Sequence, residues 1–184
     1  MKCPCCGCDN LPGADSCENC MASLSQVDVP QPLDDVERSL MEEPVACLQP
    51  LRPLTVEADT RLDAAVRFMR DHGIGCVLVT DVSGKLTGIL TERDLLRKVA
   101  GTGRDITRLQ VADCMTAAPE WSKPGYPLGY ALQRMIVSDI RYLPLVDDAG
   151  KPVGIVSSRD VIAYMANRFR DIQESSGPQE PAKE

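Results

Sequence analysis

Apolar residues recur at helical spacing in one early stretch of the chain. They are Leu62, Ala65, Val66 and Met69. Residues three and four apart lie on one face of an α-helix, so this spacing predicts a helix with one buried face. Thr60 and Asp63 stand three residues apart at its start, which predicts a hydroxyl N-cap with an acidic partner. Gly73 predicts its end, because glycine tolerates the left-handed conformation that closes many helices.

The residues after Gly73 follow a different pattern, which predicts two strands and then a second helix. The predicted elements are a strand over Ile74–Val79, a turn over Asp81–Gly84, a strand over Leu86–Leu90 and a helix over Glu92–Ala100. Gly101 predicts the end of that helix. The short segment Pro53–Val56 precedes the first helix and is predicted to be extended, so the unit is strand, helix, strand, strand, helix.

The same pattern occurs twice, at a fixed distance of 66 residues. The segment Gly84–Asp94 returns as Gly150–Asp160, with its two glycines, its isoleucine and its Arg-Asp pair in the same places. Self-similarity at a fixed period defines a structural unit, so a tandem pair is predicted. The second unit is predicted to contain a helix over 128–137, strands over 142–146 and 153–156, and a helix from Arg159 to about Phe169.

Composition and charge narrow the class of protein. Hydrophobic residues make up 43% of the 184 residues but aromatic residues only 4%, so the core must be mainly aliphatic. The formal net charge is −7, and an acidic chain disfavours broad contact with a nucleic-acid backbone. No apolar run reaches the roughly 18 residues of a membrane span, and no signal segment follows Met1. We therefore expect a cytoplasmic protein with no membrane contact.

Nine cysteines in a chain without an export signal favour metal binding over disulfides. Two Cys-x2-Cys pairs about ten residues apart can place four thiolates around one Zn²⁺. The candidate ligands are Cys17 with Cys20, together with either Cys3 and Cys6 or Cys5 and Cys8. The prediction is a zinc ribbon over residues 1–22 whose zinc is structural, because so short a segment needs metal to fold. A redox-active cysteine segment is the alternative.

Two segments outside the repeats differ from them in composition. Residues 23–44 are acidic and contain prolines, which predicts a linker with a short amphipathic helix. The helix-spaced residues in it are Leu33, Val36, Leu40 and Met41. Residues 171–184 are polar and are predicted to be disordered. The repeats are predicted to occupy residues 45–108 and 109–170.

The doubled unit resembles the cystathionine-β-synthase (CBS) domain pair. The resemblance rests on Val111–Thr116 at the junction, on Leu143–Asp147, and on the two segments that run from Gly-x3-Gly-Ile to Arg-Asp. It covers about residues 45–169 and implies an α+β fold of two β-α-β-β-α repeats related by pseudo-two-fold symmetry. It also implies two clefts between the repeats, which in this family often bind AMP, ADP, ATP or S-adenosylmethionine.

The resemblance also implies particular ligand-binding residues. They are Thr55, Val56, Ile74, Gly75, Cys76, Thr91 and Asp94 in the first repeat, and Ile140, Arg141, Tyr142, Ser157 and Asp160 in the second. Asp94 and Asp160 are expected to accept hydrogen bonds from ribose hydroxyls. Backbone groups of residues 74–76 and 140–142 are expected to contact an adenine edge. The alternative is that both aspartates only cap helices, as acidic residues commonly do.

The cysteine segment resembles the start of a bacterial zinc-ribbon family over about twenty residues. The shared residues are Cys3, Pro4, Cys6, Gly7, Asn10, Gly13 and Ala14. The zinc ligands that this resemblance favours are Cys3, Cys6, Cys17 and Cys20. The segment departs from the family pattern at Cys5 and Cys8, and at Met21, where glycine commonly follows the last ligand.

The leading hypothesis is a regulatory module that senses an adenosine ligand, with a zinc ribbon for docking to a regulated protein. We do not expect an enzyme, because the sequence contains no recognisable nucleophile–base pair or phosphate-binding glycine loop. A homodimer through residues 45–169 is expected, with the helices near 62–69 and 128–136 at its interface. The alternatives are a DNA-binding regulator that uses the ribbon, and a structural adaptor whose clefts bind nothing.

Overall fold

The structure, a computed structural model, describes residues 2–3, 5–11, 14–24 and 35–175. Within these ranges the helices are α1 (Asp35–Glu42), α2 (Leu62–Asp71), α3 (Glu92–Lys98), α4 (Leu128–Val137) and α5 (Ser158–Ser175). The strands are β1 (Thr55–Glu57), β2 (Cys76–Thr80), β3 (Leu86–Thr91), β4 (Thr116–Ala117), β5 (Tyr142–Val146) and β6 (Pro152–Ser157). Helices and strands follow the predicted order, and the α+β prediction is confirmed.

The described residues belong to two compact units. The strand unit contains residues 49–124 and 140–156, and the helical unit contains residues 1–48, 125–139 and those from 157 onward. The second predicted repeat is therefore divided: its strands belong to the strand unit (apart from the last residue of β6), whereas α4 and α5 belong to the helical unit. The predicted boundary at residue 109 does not separate the units, because α1, α4 and α5 contact one another.

Four strands of the strand unit form one sheet in the order β1-β2-β3-β4. β1 is parallel to β2, whereas β2–β3 and β3–β4 are antiparallel. β2 is buried along Cys76–Val79, which explains its continuous apolar run. The β2–β3 turn is held by Asp81, whose carboxylate accepts hydrogen bonds from the backbone N–H groups of Ser83 at 2.8 Å and Lys85 at 3.0 Å. β5 and β6 form a separate two-stranded sheet.

Helix α2 packs on β2 with the apolar face that the sequence predicts. Leu62, Ala65 and Met69 are buried in one cluster with Val77 and Val79. The apolar face of α2 is therefore used within the strand unit. The predicted end of the helix is confirmed. Gly73 lies just beyond α2 and has the left-handed φ of +63° that closes many helices.

The start of α2 differs from the predicted Thr60 cap. The N-cap is Arg61, and its side chain makes no capping hydrogen bond. Asp63 instead forms ion pairs with Arg61 and Arg67, each at 3.0 Å. In the predicted cap, the Asp63 carboxylate would accept from a neutral backbone N–H. Hydrogen bonds between two charged groups are stronger, so the carboxylate pairs with the guanidinium groups instead.

The helical unit is held by close backbone approach and by an ionic cluster. The Leu40 carbonyl oxygen of α1 lies 3.0 Å from where a Cβ would stand on Gly129 of α4, so the two helices meet closely where a side chain is missing. Glu43, just after α1, accepts hydrogen bonds from the Tyr164 hydroxyl and the Arg168 guanidinium of α5. The predicted short helix in the linker is confirmed as α1, although Leu33 lies outside the described residues.

Helix α5 is longer than the sequence predicts. It continues to Ser175, past the predicted end near Phe169 and into the segment predicted to be disordered. The remainder of that predicted tail, residues 176–184, lies outside the described residues. Even α5, with 18 residues, is not apolar enough to cross a lipid bilayer, and the same holds for every shorter helix of the described ranges.

Two tight turns of similar geometry shape the cysteine segment. The Gly7 N–H donates to the Cys3 carbonyl at 2.8 Å, and the Met21 N–H donates to the Cys17 carbonyl at 2.9 Å. The residue closing each turn is left-handed, with φ of +69° at Gly7 and +58° at Met21. This conformation costs a methionine about 1–2 kcal/mol. The Met21 side chain is 75% exposed, so little packing offsets that cost.

Replacing Met21 with glycine is expected to stabilise the closed cysteine segment by about 0.5–1 kcal/mol, because the relieved strain exceeds the added chain entropy of glycine. The measurement is the opening free energy of this segment from native-state hydrogen exchange at saturating zinc. Gly7→Ala is the control, and it is expected to destabilise the segment. The alanine would have to adopt the left-handed conformation, and its Cβ would lie 3.1 Å from Cδ of Pro127. A Met21→Gly segment that opens more easily than the wild type contradicts this account.

Candidate functional site: a cysteine cluster and the first-repeat cleft

Four cysteine sulfurs converge near the start of the chain. The Sγ atoms of Cys3, Cys6, Cys17 and Cys20 all lie within 4.8 Å of one another. The distance from Cys3 to Cys20 is 3.7 Å, and that from Cys6 to Cys17 is 3.4 Å. A tetrahedral site with zinc–sulfur bonds of about 2.3 Å has sulfur–sulfur edges of about 3.8 Å. The four side chains therefore fit one tetrahedral zinc ion.

The other two cysteines of the segment do not belong to this set of four. Cys5 Sγ lies 3.8 Å from Oε1 of Gln133, and Cys8 Sγ lies 3.6 Å from the Asp9 carbonyl oxygen. Both are partly exposed, whereas three of the four converging cysteines are buried. The structure thus brings together the set favoured by the zinc-ribbon resemblance, and it does not bring together the set with Cys5 and Cys8.

The pKa values of three of these thiols favour a bound cation. Burial raises the pKa of Cys3 to about 12, and burial also raises the pKa of Cys20. Burial acts in the same direction on Cys17, but hydrogen bonds from the backbone of Cys20 and Asn19 outweigh it and lower its pKa to about 6. Crowded, buried thiols cannot all ionise by themselves, whereas a bound Zn²⁺ deprotonates the thiols that coordinate it.

A buried asparagine connects the two cysteine pairs. Asn10 donates from Nδ2 to the Cys8 carbonyl at 2.8 Å, and its Oδ1 accepts from the Glu18 backbone N–H at 3.0 Å. Cys8 follows the first pair and Glu18 lies inside the second, so this one side chain fixes their separation. In the sequence, Asn10 is notable only as part of a family resemblance. Its positioning role depends on the backbone groups of Cys8 and Glu18, which belong to different parts of the cysteine segment.

The predicted ribose-binding residue of the first repeat is Asp94, which is 8% exposed. Its Oδ2 accepts from the Thr91 N–H at 3.0 Å and from the Thr91 hydroxyl at 2.6 Å. The Asp94 N–H in turn donates to the Thr91 hydroxyl oxygen at 3.2 Å. This reciprocal pair is a capping box that starts α3. The capping role considered from the sequence is therefore present, on one of the two carboxylate oxygens.

The other oxygen of Asp94 has partners outside the capping box. Oδ1 accepts from the Thr116 hydroxyl at 2.9 Å and lies 3.2 Å from the Lys98 Nζ. Burial alone would raise the pKa of Asp94, but the hydrogen bonds from Thr91 and Thr116 and the Lys98 ammonium outweigh it and lower the pKa. The carboxylate is therefore ionised at neutral pH and accepts hydrogen bonds through both of its oxygens.

The sequence analysis missed Thr116 and Lys98 as partners of Asp94. Lys98 was detectable, because it stands four residues after Asp94 on a predicted helix and such pairs face each other. Thr116 was noted only as part of the junction motif. Its contact with Asp94 depends on β4 pairing with β3, which places Thr116 opposite Ile89. Nothing in the local sequence signals that pairing.

The remaining predicted residues of the first repeat lie on neighbouring strands. Thr55 and Val56 of β1 stand opposite Leu78 and Val79 of β2. Cys76 begins β2 and pairs across the sheet with Thr91. Burial, followed by the nearby Glu92 carboxylate, raises the pKa of the Cys76 thiol to about 12, so this cysteine stays protonated.

Two backbone groups expected to contact an adenine edge already have partners within the chain. The Ile74 N–H donates to the Met69 carbonyl at 3.0 Å, and the Gly75 carbonyl accepts from the Glu92 N–H at 3.0 Å. A Cβ on residue 75 would collide with the Tyr142 hydroxyl and the Glu92 carboxylate. Gly75 therefore lets a tyrosine of the second repeat approach the backbone of the first, which the sequence did not predict.

The predicted residues of the second repeat are not brought together within one unit. Asp160 repeats the geometry of Asp94, since its Oδ2 accepts from the Ser157 N–H at 2.6 Å and the Ser157 hydroxyl at 2.8 Å. Ser157 and Asp160 belong to the helical unit, however, whereas residues 140–142 belong to the strand unit. Arg141, another of the predicted ligand-binding residues, is exposed.

Comparison with known proteins identifies the family. A family model described as the CBS domain matches residues 36–101 and 111–167, about two thirds of the chain. The protein therefore belongs to the CBS domain family and carries the domain as a tandem pair, as the repeat predicted.

Individual relatives match mainly this tandem region. An inosine-5′-monophosphate dehydrogenase of Nitrosopumilus maritimus is 36% identical over 109 residues, which are 59% of this chain and 21% of that protein. The CBS-domain protein ATU1752 of Agrobacterium tumefaciens is 31% identical, with a TM-score of 0.59 over 66% of this chain and 97% of that one. The cytosolic domain of the Mg²⁺ channel MgtE, solved with ATP, is 27% identical, with a TM-score of 0.52 over 61% of this chain and 44% of that one.

The curated relatives are longer than the region they share with this chain. The match covers 53%, 21% and 56% of the length of three of them. The dehydrogenase illustrates the point, since most of its length has no counterpart here. What the relatives share with this protein is the CBS pair, and the remainder of each relative does not transfer.

Serine substitutions test the four-cysteine cluster. Cys3→Ser and Cys17→Ser are each expected to abolish stoichiometric zinc binding, because three thiolates and a hydroxyl no longer complete the site. Cys8→Ser is the matched control, and it should keep one zinc per chain, since Cys8 is not among the four cysteines whose sulfurs all lie close together. Zinc content of the purified variants is the measurement. Full occupancy in Cys3→Ser together with loss in Cys8→Ser would reverse the ligand assignment.

Proposed function

We propose that the protein is a regulatory module that binds an adenosine compound in its first-repeat cleft and holds a structural zinc ion in its cysteine segment. The ligand class is AMP, ADP, ATP or S-adenosylmethionine. The proposed role of the zinc ribbon is to dock a regulated protein. In this proposal the chain carries out no chemical reaction itself.

The observation that carries the ligand proposal is the ionised, nearly buried carboxylate of Asp94. A carboxylate with low pKa can accept hydrogen bonds from both hydroxyls of a ribose, and such charge-assisted bonds are among the stronger ones in proteins. Thr91 and Cys76, opposite each other on adjacent strands, bring the other predicted residues of the first repeat to the same region of the sheet. The first repeat is preferred because all its predicted residues lie within one compact unit.

The comparisons support this ligand class. The CBS region of the Mg²⁺ channel MgtE, which is similar to this chain, was solved with ATP. Other CBS structures with this fold were solved with AMP and with S-adenosylmethionine, although at 22% and 24% identity these support the fold alone. The similar region of an inosine-5′-monophosphate dehydrogenase supports a regulatory module better than a catalytic one, since it makes up a fifth of that enzyme.

The structural role proposed for zinc rests on the closed shell of four cysteines. Four protein ligands leave no open coordination position for a substrate or a reactive water, as is usual for structural sites. Contact with DNA is not favoured, because Lys2 is the sole basic residue among residues 1–20 and it stands beside Asp9, Asp15 and Glu18. This composition fits a protein partner better than a phosphate backbone.

A structural adaptor is the second candidate, favoured by one observation. Both oxygens of Asp94 already have partners within the chain, so this aspartate has a complete structural role without any ligand. If that is its whole role, its removal destabilises the fold and has no bearing on nucleotides.

Asp94→Ala is expected to weaken binding of AMP, ATP or S-adenosylmethionine by at least about tenfold, since each charged hydrogen bond contributes about 1.5–3 kcal/mol. Asp94→Asn keeps one acceptor oxygen and should cost less. The measurement is calorimetric titration of the zinc-loaded protein.

Asp113→Ala is the matched control for Asp94→Ala. Asp113 completes a capping box with Gln110, accepting from its N–H at 2.8 Å, so its loss should lower Tm without changing ligand affinity. If Asp94→Ala behaves like Asp113→Ala, the adaptor proposal replaces the sensor proposal. Absence of binding to the wild type at millimolar ligand has the same consequence.

A homodimer remains a prediction, now placed on exposed apolar residues. These are Ile136 and Val137 of α4 together with Ile162 and Phe169 of α5. Sedimentation of the full chain at tens of micromolar should show a dimer, because a dimer with a Kd of ~1 μM persists at that concentration. Val137→Asp should shift it toward monomer, whereas Val82→Asp, at a fully exposed turn, should not. A monomeric wild type removes the prediction.

A further inference from the structure

The carboxylate of Asp94 is saturated by partners within the chain. An ionised carboxylate offers about four lone-pair positions, two on each oxygen. Thr91 takes two on Oδ2 through its N–H at 3.0 Å and its hydroxyl at 2.6 Å. The Thr116 hydroxyl at 2.9 Å and the Lys98 ammonium at 3.2 Å take those on Oδ1. A ribose hydroxyl cannot be added to this arrangement; to bond to Asp94 it must replace one of the four partners.

The four partners differ in how readily they can leave. The two from Thr91 belong to the capping box that starts α3, so their loss would expose the first turn of the helix. The Lys98 Nζ also donates to the carbonyl oxygens of Cys114 at 2.8 Å and Met115 at 2.9 Å, which hold it in place. Thr116 is exposed, so water can replace Asp94 as the partner of its hydroxyl, and its release disturbs the fold less than the loss of the other three.

We propose that the Thr116 hydroxyl is the group that a ribose displaces from Asp94, so that the first cleft binds its ligand in competition with the start of β4. The inference rests on the proposed function, because it concerns the same carboxylate. Thr116 is then a residue that sets ligand affinity without contacting the ligand. The apparent Kd equals the intrinsic Kd divided by the fraction of molecules in which Thr116 has released Asp94.

The competition also connects the cleft to the junction between the repeats. β4 has two residues, paired with Ile89 and Gly88 of β3, and the Ala118 N–H adds one bond to the Thr87 carbonyl at 3.0 Å. So short a strand has few bonds, and the side-chain bond from Thr116 to Asp94 is a substantial part of what holds it. Ligand binding therefore loosens β4 at the point where the second repeat begins.

Thr116→Val tests the competition directly. Valine matches threonine in shape but cannot donate to Asp94, so ligand affinity is expected to rise about tenfold, the value of one hydrogen bond to a charged group. Thr116→Ser keeps the hydroxyl and should bind like the wild type. Thr107→Val is the matched control: it removes an equivalent bond, from the Thr107 hydroxyl to Asp105 at 2.7 Å, away from Asp94. It should leave affinity unchanged.

Calorimetric titration with AMP, ATP and S-adenosylmethionine separates the outcomes. Tighter binding by Thr116→Val alone supports the inference. Equal or weaker binding by Thr116→Val, with binding by the wild type intact, overturns the inference and leaves the proposed function standing. Absence of binding by both proteins overturns the two together.

Hydrogen exchange supplies a readout that does not depend on affinity. In the wild type, saturating ligand should speed amide exchange at residues 116–118 while slowing it around Asp94, because β4 is released as the cleft is filled. In Thr116→Val the ligand should leave exchange at residues 116–118 unchanged. Slower exchange at those residues in the ligand-bound wild type would overturn the inference.

Discussion

Burial of one ionised carboxylate constrains much of the strand unit. A charged group removed from water must have its oxygens satisfied, or the unit loses several kcal/mol. Asp94 meets this requirement with the cap of α3, the ammonium of Lys98 and the first residue of β4. The start of a helix, the end of that helix and the beginning of the second repeat are therefore fixed by a single side chain. The region that a ligand would reach is thus also the region where the junction between repeats is anchored.

The repeat made most of the fold predictable from the sequence. Helix α4 and strand β5 have the predicted bounds, because their apolar patterns are regular and their counterparts in the first repeat are equally clear. A failure occurs where a capping pattern competes with neighbouring charges. Thr60 and Asp63 have the spacing of a capping pair, yet Asp63 pairs with Arg61 and Arg67. Sequence spacing identifies the residues that could form a cap, but it does not show which group the carboxylate will bind.

The candidate sites divide in the same way. The four converging cysteines were predictable because their chemistry is local and a family pattern distinguished them from Cys5 and Cys8. Thr116 was not, since its role depends on which strand β4 joins. The division of the second repeat between two units was likewise invisible, because sequence similarity reports common ancestry of a segment rather than where its helices find their partners. Ser157 and Asp160 keep the local geometry of the first site without its surroundings.

The make-up of the helical unit has a consequence for biosynthesis. Glu43 lies 121 residues before its partner Tyr164 and 125 residues before Arg168. At translation rates of about 5–20 residues per second, the ribosome needs roughly 6–25 s to synthesise the intervening chain. The part of the strand unit that precedes the end of β4 can fold during that interval, because the ribosome has already synthesised all of it. Helix α1 is made earlier than any of them, yet it waits for the last helix of the protein before its contacts are complete.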